Sequence, residues 1–197
     1  MNKLNLALYM TSLGAVGLYI FPDKNNILLY FQYFFIIISI LLFFIIVIKN
    51  GNKYFDNKFV SMILTFNLLL IGIVFITIYL KENNLLNKFQ EYYLAYIIEA
   101  MVLSFFGYIA PKIPFNRYIG LRLPWTVVDE STWIYSHRVC RKITIPLLSV
   151  STIMFLIAHL VFKNLHYMYN IGVGLILLYV FIPGISSLLY YKKLYKC

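Results

Sequence analysis

Long apolar runs occupy most of this chain and limit what it can fold into. Six of them approach the roughly 20 residues that a membrane-spanning helix needs; they cover 4–21, 27–48, 59–80, 92–110, 143–162 and 168–191. Charged residues make up only 12% of the chain, against about a quarter in soluble domains. Lipid, unlike water, makes an apolar exterior stable. The sequence therefore predicts an all-α integral membrane protein, one polytopic domain over 1–197 with six transmembrane helices.

Basic residues in the loops predict the orientation of these helices. When alternate loops are grouped, thirteen Lys and Arg residues fall on the side of both termini and four on the other side. Cytoplasmic loops carry the excess of Lys and Arg, so both termini and the long loop 111–142 are expected in the cytoplasm. The net charge of +10 then lies on one membrane face, which indicates contact with the lipid bilayer and not with nucleic acid. The frequent Ile, Asn, Lys, Phe and Tyr are typical of an AT-rich bacterial genome, so the bacterial cytoplasmic membrane is the expected location.

Glu99 is the one carboxyl inside the apolar runs. It lies seven residues after Tyr92, about 10 Å into the fourth run at 1.5 Å per residue. An intramembrane carboxyl is a functional candidate by default. A protonated or hydrogen-bonded contact between helices is the alternative, with Gln32, His159 or His166 as the partner. Both interpretations stay open.

Two other features interrupt the runs. Pro183-Gly184 predicts a weakened or kinked sixth helix, because proline lacks the backbone N–H. Asn67 in the third run is expected to bond between helices. Transporters commonly show repeats with paired broken helices, and this sequence has one clear break and no repeat.

The polar segment Pro114–Lys142 separates the fourth and fifth runs and holds both tryptophans of the chain. Prolines at its start disfavour helix in the residues before them. Thr126 then opens T-V-V-D, a capping pattern that predicts a helix from Val127 with Asp129 in its first turn. This short interfacial helix is expected to run into the fifth span, which it can join as far as Pro146. At 100° per residue it would carry one polar-aromatic stripe, made of Glu130, Trp133, His137 and Arg141.

The chemistry of this segment allows more than one interpretation. Taken singly, Trp125 and Trp133 are typical of interfacial anchors. The arginines, taken singly, are typical of the positive residues of cytoplasmic loops. Together with Glu130, and with His137 able to titrate near neutrality, they favour an Arg-carboxylate network or a partner-binding surface. Catalysis has little support, because Ser131 and Ser136 lack a triad. Cys140 and Cys197 are expected to be reduced thiols, and no metal ligand set, cofactor or enzyme activity is predicted.

The segment from Asn116 to Lys142 resembles the signature of the SdpI family of bacterial membrane proteins. The matching text is N-R-Y-I-G-L-R-L-P-W-T, then D-E-x-x-W, then H-R-x-x-x-K. Arg141 stands where the family has glycine, and F-P-D-K-N-N replaces an early P-x-x-I-P-x-H segment. The resemblance marks as functional the positions Asn116, Gly120, Arg122, Pro124, Trp125, Thr126, Asp129, Glu130, Trp133, His137, Arg138 and Lys142.

This resemblance implies a membrane immunity protein, which protects its own cell against a secreted, membrane-active toxin. A second role, signalling by holding a cytoplasmic repressor at the membrane, stays open. The main alternative is a small transporter or proton-coupled channel that uses Glu99. A lipid-modifying enzyme that uses the Arg, Glu and His of the loop is a weaker alternative.

Overall fold

The computed structural model describes residues 57–116 and 120–195, with scattered helical positions between 34 and 48. Apart from those positions, the predicted spans 4–21 and 27–48 lie outside the described residues. The described part contains no strand and four long helices: α1 (Asn57–Glu82), α2 (Lys88–Ile109), α3 (Glu130–Leu160) and α4 (Leu165–Tyr195). Each is long and apolar enough to cross a membrane. The described chain is thus all-helical with four candidate spans, and the total of six stays a prediction.

The chain divides into two compact units, Met1–Phe75 and Ile76–Cys197. In the first, α1 buries residues spaced three and four apart, which lie on one helix face; these are Val60, Ile63, Asn67 and Leu70. The Asn67 amide nitrogen is buried and has no hydrogen-bond partner among the described residues.

A capping box starts α2 one turn before the apolar run that predicted it. Asn87 Oδ1 accepts from the Gln90 N–H, and Gln90 Oε1 accepts from the Asn87 N–H, both at 2.9 Å. These bonds satisfy amides that the first turn of a helix leaves free. The helix therefore begins at Lys88 instead of Tyr92, and a 3-10 turn over Ala110–Lys112 follows its end.

The helix predicted from Val127 begins instead at Glu130, with Asp129 as its N-cap. It joins the fifth span, as the prediction allowed, and α3 continues beyond Pro146 to Leu160. The predicted start at Val127 was wrong because Asp129, and not Thr126, caps the helix. The Thr126 hydroxyl instead donates to the Leu121 carbonyl within the preceding turn.

Hydroxyl groups join the three helices of the second unit. Tyr96 on α2 bonds to Ser151 Oγ on α3 at 2.7 Å. Tyr179 on α4 bonds to Thr144 on α3 at 3.0 Å and donates to the Leu103 carbonyl of α2 at 3.3 Å. Such bonds hold helices together in lipid, where hydrophobic burial adds little. These contacts place α2 and α4 parallel, with α3 antiparallel to both.

Helix α4 continues through Pro183-Gly184 to Tyr195. Both residues are buried, and a Cβ added at Gly184 would lie 3.3 Å from the side chain of Leu123, which is in the loop before α3. Pro183-Gly184, which predicted a weakened or kinked helix, is therefore the place where the loop before α3 packs against α4.

Candidate functional site

The signature loop, defined here as residues 113–129, folds back onto α3 at Gly120. Gly120 has φ +127°, a backbone conformation that favours glycine. A Cβ at this position would lie 2.5 Å from His137 Nε2 and 2.7 Å from the Trp133 ring. The loop backbone thus lies directly against two signature side chains of α3.

His137 uses both ring nitrogens inside the protein. The backbone N–H of Leu121 donates to Nε2 at 3.1 Å, so Nε2 is the acceptor. Nδ1 then carries the proton and donates to the Trp133 carbonyl at 2.8 Å. The side chain is only 1% exposed. His137 is therefore neutral in this structure and binds the loop backbone, whereas the sequence predicted a side chain that titrates near neutrality.

Both tryptophans point inward. Trp133 is fully buried, and its indole N–H donates to the Ile113 carbonyl at 3.2 Å. Trp125 donates to Ser187 Oγ on α4 at 2.9 Å. The interpretation of Trp133 as an interfacial anchor is wrong, because the folded loop covers it. Ser187 was not singled out from the sequence, although it follows Pro183-Gly184 by one helical turn.

Thr126 closes the turn that precedes α3. Its hydroxyl donates to the Leu121 carbonyl at 2.8 Å and accepts from the Leu123 N–H at 2.9 Å. The residue is fully buried. Pro124 begins this turn. The Thr126 hydroxyl, which was predicted to cap the helix, forms its hydrogen bonds within the turn instead.

Asp129 joins the start of α3 to the end of α4. Its Oδ2 accepts from the Thr132 N–H and the Ser131 hydroxyl, both at 2.6 Å. Its Oδ1 accepts from the Tyr195 hydroxyl at 3.0 Å. Burial alone would raise the pKa of Asp129, but these hydrogen bonds outweigh it and lower the pKa to about 2. The cap is therefore an ionised carboxylate at neutral pH.

The predicted polar-aromatic stripe does not act as one surface. Trp133 and His137 are buried, whereas Glu130 and Arg141 are exposed. Residues 133, 137, 140 and 144 define the buried face of α3. At 100° per residue Glu130 and Arg141 fall at its edge. Glu130 has no ion-pair partner among the residues that the structure describes. Within those residues, Glu130 is therefore not part of the expected Arg-carboxylate network.

The remaining signature positions divide between the loop and the surface. The Asn116 amide donates to the Pro114 carbonyl at 2.7 Å and closes a local turn. Arg122 is partly buried in the loop, and Arg138 and Lys142 are exposed on α3. Arg117 lies outside the described residues. No group of His, Cys, Asp and Glu in the described ranges could hold a metal ion.

Glu99, the intramembrane candidate, lies apart from the signature loop. It sits on α2 facing Gly172 of α4, where an added Cβ would be 3.0 Å from its Oε2. Of its predicted partners, His159 instead contacts the rings of Phe89 and Tyr93, with centroids 5.0 and 5.1 Å away.

Residues 112–191 match the model of the SdpI/YfhL protein family. This region, which is less than half of the chain, is similar to the SdpI/YfhL protein family. The resemblance predicted from the signature is thus confirmed. The match begins at the last residue of the 3-10 turn and takes in the signature loop, α3 and most of α4. The matched region contains the loop contacts described above, except the one between Asp129 and Tyr195.

One curated relative is the Immunity protein SdpI of Bacillus subtilis (strain 168). It is 38% identical over 79 residues, which are 40% of this chain and 35% of the relative. The similarity therefore spans about a third of the relative's length. No solved structure matches this chain. Helix α2, with Glu99, precedes the family match.

Proposed function

We propose that this protein is a membrane immunity protein that protects the cell carrying it from a membrane-active peptide or protein toxin. The similarity to an immunity protein carries the proposal. The family model matches the signature loop, α3 and most of α4, and this region is held together by contacts of Gly120, His137 and Trp125.

In this proposal the signature loop supports the helices and does not contact the toxin. The Trp133 and His137 side chains of α3, against which the loop packs, form hydrogen bonds within the fold. With the loop on the cytoplasmic side, as the Lys and Arg distribution favours, a secreted toxin reaches the opposite face first. Protection then depends on the spans and on the short loops of that face.

Expression in a toxin-sensitive bacterium tests the proposal. Cells carrying the chain should survive membrane-active peptide and protein toxins that kill cells with an empty vector. The amount of protein in the membrane fraction is measured in the same cultures. Survival no better than that of the vector, at a verified membrane level and across the toxin panel, would argue against immunity.

Capture of a cytoplasmic repressor is the finer form of the proposal. Exposed cations surround the end of the bundle that carries the signature loop: Arg138, Arg141, Lys142, Lys192 and Lys193. A repressor with an acidic surface would be attracted to this end. Capture would be supported if the repressor co-purifies only with toxin present, and no longer does so when Arg138, Arg141 and Lys142 are neutralised. Equal recovery of the repressor with that variant would argue against capture at this end.

The orientation is proposed with both termini in the cytoplasm. The two cysteines provide a direct test, because Cys140 is buried and can be replaced by serine. In that variant, Cys197 should react with a membrane-impermeant maleimide only after the cells are permeabilised. Labelling of Cys197 in intact cells would reverse the orientation.

A further inference from the structure

Glu99 lies near the middle of the membrane-spanning part of α2. The candidate span covers Lys88–Lys112, and Glu99 is eleven residues from its start and thirteen from its end. At 1.5 Å per residue, either end is about 16–20 Å away along the helix. The carboxyl is deeper than the apolar run suggested, because the capping box moves the start of α2.

Helix α4 leaves room for the carboxyl at Gly172. A Cβ there would lie 3.0 Å from Glu99 Oε2 and 4.0 Å from its Cδ. Gly172 is buried, and so are Met168 and Leu175, one turn before and after it. The carboxyl thus lies between α2 and α4, against the backbone of Gly172.

The described residues do not satisfy both oxygens of the Glu99 carboxyl. Its Oε1 is buried and has no hydrogen-bond partner within the described ranges. The nearby Tyr96 hydroxyl is engaged with Ser151 and Thr152 of α3. A buried carboxylate needs paired charges or several hydrogen bonds to stay ionised.

The three surrounding helices supply no cation for such a pair. Their membrane segments contain no Lys or Arg over 89–111, 143–162 and 164–191. The titratable groups nearest to Glu99 along the helices are Tyr92, Tyr93 and Tyr96 on α2, His159 on α3 and Tyr169 on α4. His159 packs on Phe89 and Tyr93, six or more residues before Glu99 on α2. The neutral acid is therefore the form that these helices accommodate.

We propose that Glu99 is a proton-binding site inside the membrane, whose carboxyl holds its proton at neutral pH and is open to modification by a hydrophobic carbodiimide. In that reaction the carboxyl proton passes to one carbodiimide nitrogen while the carboxylate oxygen adds to the central carbon. The O-acylisourea then rearranges to a stable N-acylurea. The reagent is retained whole, so no leaving group or further reactant is needed.

Carbodiimide labelling of the full chain in lipid vesicles tests the site. At pH 7, dicyclohexylcarbodiimide should add once, raising the intact mass by one reagent, and peptide mapping should place the adduct on Glu99. Glu99→Gln should abolish it. Glu91 on the same helix is the matched control, because it is ion-paired to Lys81 at 3.3 Å near the helix start. A water-soluble carbodiimide should modify Glu91 and exposed Glu130 while sparing Glu99.

Infrared spectroscopy gives a second measurement of the same proton. The wild-type protein should show the C=O band of a non-ionised carboxyl at pH 7, and Glu99→Gln should lack it. Gly172→Ala should shift the band, because the new methyl group displaces the carboxyl. If Glu99→Gln does not fold, the wild-type spectrum and the mapped adduct still decide the question. Absence of the wild-type band, or an adduct mapped to another residue only, would overturn the proposal. Neither measurement depends on toxin immunity, so the two proposals can fail separately.

Discussion

At the scale of single residues, the contact between Gly120 and His137 explains why the loop needs both. The Leu121 N–H reaches His137 Nε2 at 3.1 Å only because the preceding residue has no side chain. A buried N–H without a partner costs about 1–3 kcal/mol. The two residues therefore act as one unit that holds the signature loop on α3.

Replacing Gly120 with Ala should destabilise the protein by about 1–3 kcal/mol, because a left-handed φ is costly for other residues and the new Cβ overlaps His137 Nε2. The measurement is the thermal unfolding midpoint of the purified protein in detergent. Gly174→Ala is the control, since a Cβ there meets nothing within 4 Å. Alanine should be neutral or stabilising in that helix, by up to about 1 kcal/mol. Equal losses in both variants would show that the loop contact is not the cause.

The Asp129 cap predicts a dependence of stability on pH. Its pKa is lowered from 3.8 to about 2, so its stabilising effect is complete above the unfolded-state pKa and is lost as the pH falls through the folded-state value. Asp129→Ala should cost about 1 kcal/mol at pH 7. The difference in unfolding free energy between wild type and variant should shrink from pH 4 toward pH 2. A difference that stays constant over that range would contradict the ionised cap.

At the scale of helices, Tyr179 links all three members of the second unit through Thr144 and the Leu103 carbonyl. Tyr179→Phe keeps the ring and removes both bonds, so it should cost about 0.5–1.5 kcal/mol. Comparison with Tyr167→Phe in denaturant unfolding isolates the hydroxyl, because Tyr167 is on the same helix and exposed. If the two variants unfold alike, the hydroxyl does not hold the helices together.

Apolar runs and turn residues were enough to predict four of these helices and the end of α2 near Ala110. Their exact starts were not predictable from hydropathy, because caps decide them: Asn87 for α2 and Asp129 for α3. The inward positions of Trp133 and His137 also escaped prediction. These positions depend on the loop folding back at Gly120. Helical periodicity shows that Trp133 and His137 share one face of α3, but it does not show that the loop covers this face.

At the scale of the whole molecule, the second unit has two chemically different ends. One carries the signature loop, the 3-10 turn and the described end of α4, held together by the bond from Tyr195 to Asp129. The other carries the start of α2 and the connection between α3 and α4. The signature loop and Tyr195 therefore lie at the same end of the second unit, and the side of the membrane that this end faces stays a prediction.

The central claim is that the signature residues protect the cell by holding the loop on α3 and α4. It is tested most directly by measuring toxin survival together with the amount of folded protein in the membrane for His137→Ala and Glu130→Gln. His137→Ala should lower both quantities in step, because the Leu121 N–H loses its acceptor. Glu130→Gln should leave both unchanged, because Glu130 is exposed. A His137→Ala protein that is fully folded and abundant, yet gives no protection, would contradict the claim.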